Sequence, residues 1–127
     1  MAVAVTNTSI ALYNTAGVVT ANPATSSSVN GTEVFTITLA KATKDTILIM
    51  HNTGAAGAVS YSVAVGVGVF ADADALTGTV ADGVLTAVKL DGAYVSATGT
   101  IVITFTPYTG QKLLTDHAFT AYVIEAV

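Results

Sequence analysis

Residues 59–69 read Val-Ser-Tyr-Ser-Val-Ala-Val-Gly-Val-Gly-Val, so that large apolar residues alternate with small ones over the whole stretch. A period of two places successive side chains on opposite faces of a β-strand, whereas a one-sided helix needs a period near 3.6. The stretch therefore predicts a long strand with one face of Val and Tyr and one face of small residues. We expect the small face to lie against another backbone or another subunit.

The same alternation recurs along the rest of the chain. Further strands are predicted at 33–39, 46–51, 76–80, 84–90, 101–106 and 119–125. The run 46–51 is apolar almost throughout, and we expect it to be buried on both faces. The turn residues 52–57, which follow the run 46–51, predict a hairpin between that run and the long strand. Asp82-Gly83 predicts a second hairpin, between the strands at 76–80 and 84–90, because Asp-Gly adopts the positive φ angles that a tight primed turn needs.

The number and spacing of these strands predict the fold class. Seven to nine short strands with turn residues between them indicate an all-β protein of two antiparallel sheets packed face to face. We expect a β-sandwich of jelly-roll or immunoglobulin-like type, with a small β-barrel as the alternative. The 127 residues fit one domain. Residues 1–31 are the least regular part and are predicted to be an N-terminal arm or loop, with the sandwich in residues 32–127.

Composition excludes several classes of function. Hydrophobic residues make up 52% of the chain and charged residues only 9%, yet no uninterrupted apolar run has the ~18 residues of a membrane helix. With four Lys and Arg residues and a net charge of −4, nucleic-acid binding is not expected. Cysteine is absent, so neither disulfides nor thiolate metal sites are available. The N-terminus has no basic region and no long apolar segment, which predicts a product made in the cytoplasm.

Few residues are suited to catalysis or to metal binding. His51 and His117 are the two histidines, and no nucleophile-elbow pattern accompanies either of them. We therefore predict ordinary hydrogen bonds for both and no enzymatic activity. Asp72 and Asp74 form the only close acidic pair, but the Gly and Glu of a calcium-binding EF-hand loop are missing. No cofactor and no metal is predicted.

Residues 51–105 resemble the small phage proteins that decorate or stabilise the capsid. The shared features are an Asn-Thr-Gly turn at 52–54, a Val-rich strand ending in Gly-Val-Phe at 68–70, Ala-Asp-Ala-Leu-Thr at 73–77, Leu-Asp-Gly at 90–92 and Gly-Thr-Ile-Val-Ile-Thr-Phe at 99–105. The resemblance implies a β-sandwich on the outer capsid surface, commonly a trimer, that clamps neighbouring subunits of the major capsid protein. It also implies a non-enzymatic virion protein made in the host cytoplasm.

Partner contacts are expected from the N-terminal part of the chain, since an extended arm can add a strand to the sheet edge of a neighbour. The predicted contact residues are Val3, Val5, Ile10, Leu12, Tyr13, Val18, Val19, Pro23 and Val29. Two other functions remain open. One is a self-assembling filament, tail or surface-layer subunit. The other is a carbohydrate-binding sandwich, which predicts a concave surface with clustered Tyr and Asp residues.

Overall fold

The protein is built from β-strands. The computed structural model describes residues 2–5, 7–10, 19–39, 46–66, 74–90, 94–96 and 98–126. The strands are β1 (Ala2–Val5), β2 (Asn7–Ile10), β3 (Asn22–Pro23), β4 (Glu33–Thr38), β5 (Thr46–His51), β6 (Val59–Val63), β7 (Leu76–Val80), β8 (Leu85–Leu90), β9 (Thr100–Thr106) and β10 (Thr120–Ala126). Within these ranges no helix is long and apolar enough to cross a membrane.

The strands form two sheets. Sheet A has the order β1-β4-β9-β6-β7, and sheet B has the order β2-β10-β5-β8, with β3 also paired to β10. Neighbouring strands are antiparallel except for the pairs β1–β4 and β2–β10, which are parallel. In the described part of the chain neither sheet closes into a barrel. The predicted all-β sandwich is confirmed.

Apolar side chains from the inner faces of both sheets form one core. Sheet A contributes Phe35, Ile37, Ile101, Ile103 and Phe105, and sheet B contributes Leu48, Met50, Leu90, Ala121 and Val123. The Phe105 ring lies at the centre, 5.0 Å from the Phe35 ring and 4.6 Å from the Phe119 ring between centroids. Each fully buried side chain of this size stabilises the fold by about 1.5–3 kcal/mol. A core of this kind accounts for the folding of the chain without disulfides.

Strands in which apolar and polar residues alternate strictly were predictable from the sequence. The strand predicted at 33–39 is β4 with Leu39 buried just beyond it, and those predicted at 76–80, 101–106 and 119–125 correspond to β7, β9 and β10. In β4, for example, Phe35 and Ile37 are buried while Thr36 is half-buried and Thr38 is exposed. Alternating apolar residues therefore identified the inner face correctly.

Two strand predictions need correction. The long strand expected over 59–69 ends at Val63, while residues 67–70 lie outside the described part of the chain. The run 46–51 is strand β5 as predicted, but it is buried on one face only, since Ile47 is 40% exposed. The physical reason is that sheet B has no second layer on its outer side among the described residues, so that Ile47 and Ile49 face outward.

Both predicted hairpins are wrong. Strand β5 belongs to sheet B and β6 to sheet A, and likewise β7 belongs to sheet A and β8 to sheet B. The turn at Asp82-Gly83 exists, with φ of +64° at Gly83 and a 3.2 Å bond from the Val84 N–H to the Ala81 carbonyl. Turn residues specify that the chain reverses, but they do not specify which sheet it enters. Both turns therefore link the two sheets.

The N-terminal region also differs from the expected arm or loop. Ala2–Val5 pairs in parallel with β4, and Asn7–Ile10 pairs in parallel with β10. The chain thus adds one strand to the edge of each sheet in succession. This arrangement is favoured because Val5, opposite Ile37, buries its side chain in the core. The predicted irregular structure holds for residues 19–31 apart from the two residues of β3.

Candidate interaction surfaces

The outer face of sheet B is apolar across the neighbouring strands β8, β5 and β10. Its nine side chains, called the apolar face below, stand in three rows: Leu85, His51 and Thr120; Ala87, Ile49 and Tyr122; Lys89, Ile47 and Ile124. Six of the nine are apolar, and Lys89 is the one member of the set that is a Lys, Arg, Asp or Glu residue. Leu85 is 60% exposed and Ile47 is 40% exposed.

This apolar face is not needed for the core. The inner face of β5 already presents Thr46, Leu48 and Met50, which are fully buried. An antiparallel sheet with one face in water normally carries polar residues on that face. The contiguous apolar side chains at these positions make this face a candidate interaction surface.

The outer face of sheet A has the opposite character. Six hydroxyl side chains, called the hydroxyl face below, occupy neighbouring positions on three strands: Thr104 and Thr106, Ser60 and Ser62, Thr77 and Thr79. Together with Tyr61 and Gly78 they line an open groove of about 390 Å³. A carbohydrate-binding sandwich is expected to have a concave surface with clustered Tyr and Asp residues. This groove has one Tyr and no Asp among its lining residues. It does not meet that requirement.

Gly78 permits the close packing beneath this groove. The ring of Tyr61 lies across Gly78 on the adjacent strand, and a Cβ atom at Gly78 would come 2.4 Å from the Tyr61 hydroxyl oxygen. An aromatic side chain covering a glycine on a neighbouring strand is a recurrent way to stabilise a sheet edge. The two residues are therefore explained by packing.

The loops at one end of the sandwich are joined through His117 and Asn52, both fully buried. The Tyr108 N–H donates to His117 Nε2 at 3.2 Å. Because Nε2 accepts, Nδ1 carries the proton and donates to Asn52 Oδ1, also at 3.2 Å. Burial lowers the pKa of His117, although the nearby carboxylates of Asp116 and Asp82 oppose this effect. The imidazole is therefore neutral and occupied at both nitrogens.

Asn52 connects His117 to two further segments. Its Nδ2 group donates to the carbonyl of Gly57 at 2.9 Å and to that of Val80 at 3.2 Å. Thr53 and Gly54, which follow it, also bond to the segment around His117: the Gly54 N–H donates to the His117 carbonyl at 2.9 Å, and the Thr53 hydroxyl contacts the same oxygen at 3.3 Å. The Asn-Thr-Gly turn is thus a docking element that fixes several loops.

Glu33 fixes another loop at this end. Its buried carboxylate accepts bonds from the Thr25 N–H at 2.9 Å and from the Ser26 N–H at 3.1 Å, and it also accepts the Thr25 hydroxyl. The same loop contacts the segment after β9, because the Asn30 N–H donates to the Gln111 carbonyl at 2.9 Å. This end of the sandwich is therefore held together by side chains that sequence reasoning missed. Partners 65 positions apart, as in the His117–Asn52 pair, leave no local signal.

The residues considered for chemistry are not brought together. His117 bonds to an amide and a backbone N–H, whereas half-buried His51 lies on the outer side of sheet B. Asp72 lies outside the described residues, and Asp74 is exposed. Across the described ranges, no three His, Asp or Glu residues are placed to hold a metal ion.

The predicted partner-contacting residues in the first two strands require one correction. Val5 is 9% exposed and belongs to the core, so it is not available to a partner. It was misassigned because the inner face of a four-residue strand cannot be identified from sequence alone. Val3 and Ile10 lie in β1 and β2.

The other predicted contact residues fall into two groups. Leu12, Tyr13 and Val18 lie outside the described residues. Exposed positions are occupied by Val19, Pro23 and Val29. Pro23 pairs with Thr120 in the short strand β3. Contacts by these exposed residues remain a prediction.

Neither a protein-family model, a curated protein nor a solved structure matches this chain. A function must therefore be argued from the surfaces of the fold.

Proposed function

We propose that the protein is a non-enzymatic structural component of a phage virion, which decorates or stabilises the capsid by binding the outer surface of the major capsid protein lattice. The apolar face carries this proposal. Five other apolar side chains surround Ile49 in a regular sheet, and a single charged residue, Lys89, lies at one corner of the face. A protein surface buries such side chains without demanding specific polar partners.

The size of the apolar face favours a lattice over a single partner. Three strands about 4.8 Å apart, each with five residues at about 3.4 Å, cover roughly 250 Å². A stable pairwise interface buries about 800 Å² on each partner. One contact through this face alone is therefore weak. On a capsid, a homo-oligomer that binds several equivalent sites at once gains affinity through effective concentration.

The resemblance of residues 51–105 to capsid decoration proteins gives separate support. Its Asn-Thr-Gly turn docks on the loop that contains His117, and a Cβ atom at Gly54 would lie 2.0 Å from the Asp116 carbonyl oxygen. Its Gly-Thr-Ile-Val-Ile-Thr-Phe segment ends in strand β9, which is the middle strand of sheet A. These motif residues have defined structural tasks in the sandwich, which is the fold the resemblance implies.

A self-assembling filament, tail or surface-layer subunit is the second candidate. One observation favours it: β8 ends sheet B, and no described strand pairs with its outer side. An open edge of this kind can join copies of one chain. A filament differs from capsid decoration in needing no second protein for assembly.

The experiment that tests the proposed function combines solution mass with capsid binding. Light scattering measures the mass of the purified protein, and sedimentation measures its occupancy on expanded capsids assembled without it. We expect a small discrete oligomer that saturates the capsids. Open-ended polymers formed without capsids would replace this function with the filament, and a protein that does not sediment with capsids would refute it.

A further inference from the structure

Among the strands that the structure describes, β8 is the least protected edge. It has six residues, contains neither Pro nor Gly, and pairs with β5 in an uninterrupted register from Leu85 to Leu90. Soluble proteins usually protect edges with short strands, Pro, Gly, bulges or charges. Only Lys89 provides such protection here. The other described edge strands are shorter: β1 and β2 have four residues each, and β7 has five with Gly78 at its centre.

The hydrogen-bonding pattern of β8 shows which of its backbone groups point toward β5 and which point away from it. The Asn52 N–H donates to the Val84 carbonyl at 3.2 Å, which makes this pair a hydrogen-bonded pair of the β5–β8 ladder. Such pairs alternate along an antiparallel ladder, so Thr86 and Val88 also direct their N–H and C=O groups toward β5. The backbone groups of Leu85, Ala87 and Lys89 consequently point away from the sheet.

We propose that two copies of this chain pair through β8, antiparallel about a two-fold axis at Ala87. Sheet B then continues across the axis as one eight-stranded sheet, counting β2-β10-β5-β8 from each copy. The pairing does not depend on whether the partner of the apolar face is a capsid. It joins the apolar faces of the two copies side by side and so doubles the apolar surface offered to a third partner.

The side chains of β8 suit a second copy. With the axis at Ala87, two small methyl groups meet at the centre, and Leu85 lies opposite Lys89 of the partner subunit, whose aliphatic stem can cover it. The two lysines stand four residues apart along the paired strands, about 14 Å. Because the Debye length is about 8 Å at physiological salt, their repulsion is largely screened. The three pairs at 85, 87 and 89 provide about six backbone hydrogen bonds.

Cysteine cross-linking tests this geometry directly, because the natural chain contains no cysteine. In the proposed dimer the two Ala87 residues form a hydrogen-bonded pair whose Cα atoms lie about 5.5 Å apart, within the range of about 4.4–6.8 Å that a disulfide spans. Ala87→Cys should therefore give a covalent dimer on mild oxidation. Leu85→Cys is the matched control on the same face of the same strand, and its Cα atoms would lie about 14 Å apart.

A proline variant tests the hydrogen bonds. The Ala87 N–H points away from β5, so Ala87→Pro removes no bond within the subunit but blocks strand pairing. Light scattering should show a dimer for the natural protein and a monomer for Ala87→Pro, with Thr79→Pro on the β7 edge remaining dimeric. Equal cross-linking of the two cysteine variants, or a natural protein that is monomeric or trimeric at high concentration, would overturn the proposal. The cross-linking result stands even where the proline variant fails to fold.

Discussion

Removing the side chain of Asn52 should cost more stability than removing any nearby polar group of similar size. Asn52 is fully buried, and its amide makes three hydrogen bonds, to the carbonyls of Gly57 and Val80 and to His117 Nδ1. In Asn52→Ala all three partners lose their bond in a site that water enters poorly.

The size of the effect follows from those three groups. A buried donor or acceptor left without a partner costs about 1–3 kcal/mol. Because the three losses share one cavity and are not additive, we expect Asn52→Ala to lower the free energy of unfolding by about 3–5 kcal/mol. For a domain whose total stability is about 5–15 kcal/mol, this is a large fraction.

The assay is urea unfolding followed by circular dichroism, with Thr53→Ala as the matched control. The exposed Thr53 hydroxyl contacts the carbonyls of His117 and Ala118, which solvent can satisfy after truncation. Its loss should cost about 0.5–1 kcal/mol. A loss below about 1 kcal/mol for Asn52→Ala, or equal losses for both variants, would refute the view that Asn52 holds the loop end together.

Three further predictions concern the same end of the fold. Burial holds the pKa of His117 below 6.5 in the folded state, so the unfolded chain binds more protons as the pH falls from 6.5. The free energy of unfolding should therefore decrease by at most about 1.4 kcal/mol per pH unit. Unfolding curves of His117→Gln from pH 7.5 to 5.5 should lack this decrease. Glu33→Gln places an amide donor against the Thr25 and Ser26 N–H groups. The free energy of unfolding should fall by about 2–4 kcal/mol, and calorimetry should show a lower melting temperature. An unchanged melting temperature would contradict the assigned bonds. Gly54→Ala should destabilise the protein far more than Gly83→Ala, because a Cβ atom at Gly54 meets the Asp116 carbonyl, whereas a Cβ atom at Gly83 has no atom within 4 Å. Gly83→Ala should cost only the strain of the positive φ angle, about 1–2 kcal/mol in urea unfolding. Similar losses for the two variants would refute the close approach at Gly54.

The predictable part of the fold is the part in which one face is apolar and the other polar. In β4, Phe35 and Ile37 alternate with Thr36 and Thr38, and this pattern alone identifies both the strand and its buried side. The pairing of strands was not predictable in the same way. Asp82-Gly83 specifies a turn, but whether β8 joins β7 or β5 depends on the packing of whole sheets.

The candidate surface was visible in the sequence but open to two interpretations. Ile47 and Ile49 add apolar residues to a strand whose inner face is already apolar, and such a run fits both a strand buried between two layers and a strand that contacts a partner. Only the position of β5 in sheet B, with no described layer outside it, distinguishes them. The contacts of His117 and Glu33 depend on loops that are distant in sequence, and no local pattern announces them.

The proposed binding of the apolar face to a capsid lattice is tested most directly by measuring how far two aspartate variants occupy expanded capsids. Ile47→Asp places a carboxylate in the apolar face on an inner strand of sheet B, and Thr104→Asp places one in the hydroxyl face on an inner strand of sheet A. Burying the exposed part of Ile47 contributes about 1 kcal/mol, and an unpaired carboxylate adds a further penalty, so Ile47→Asp should weaken binding at least about tenfold. Thr104→Asp should bind as the natural protein does. Equal occupancy for both variants, or a larger loss for Thr104→Asp, would contradict the assignment of the apolar face.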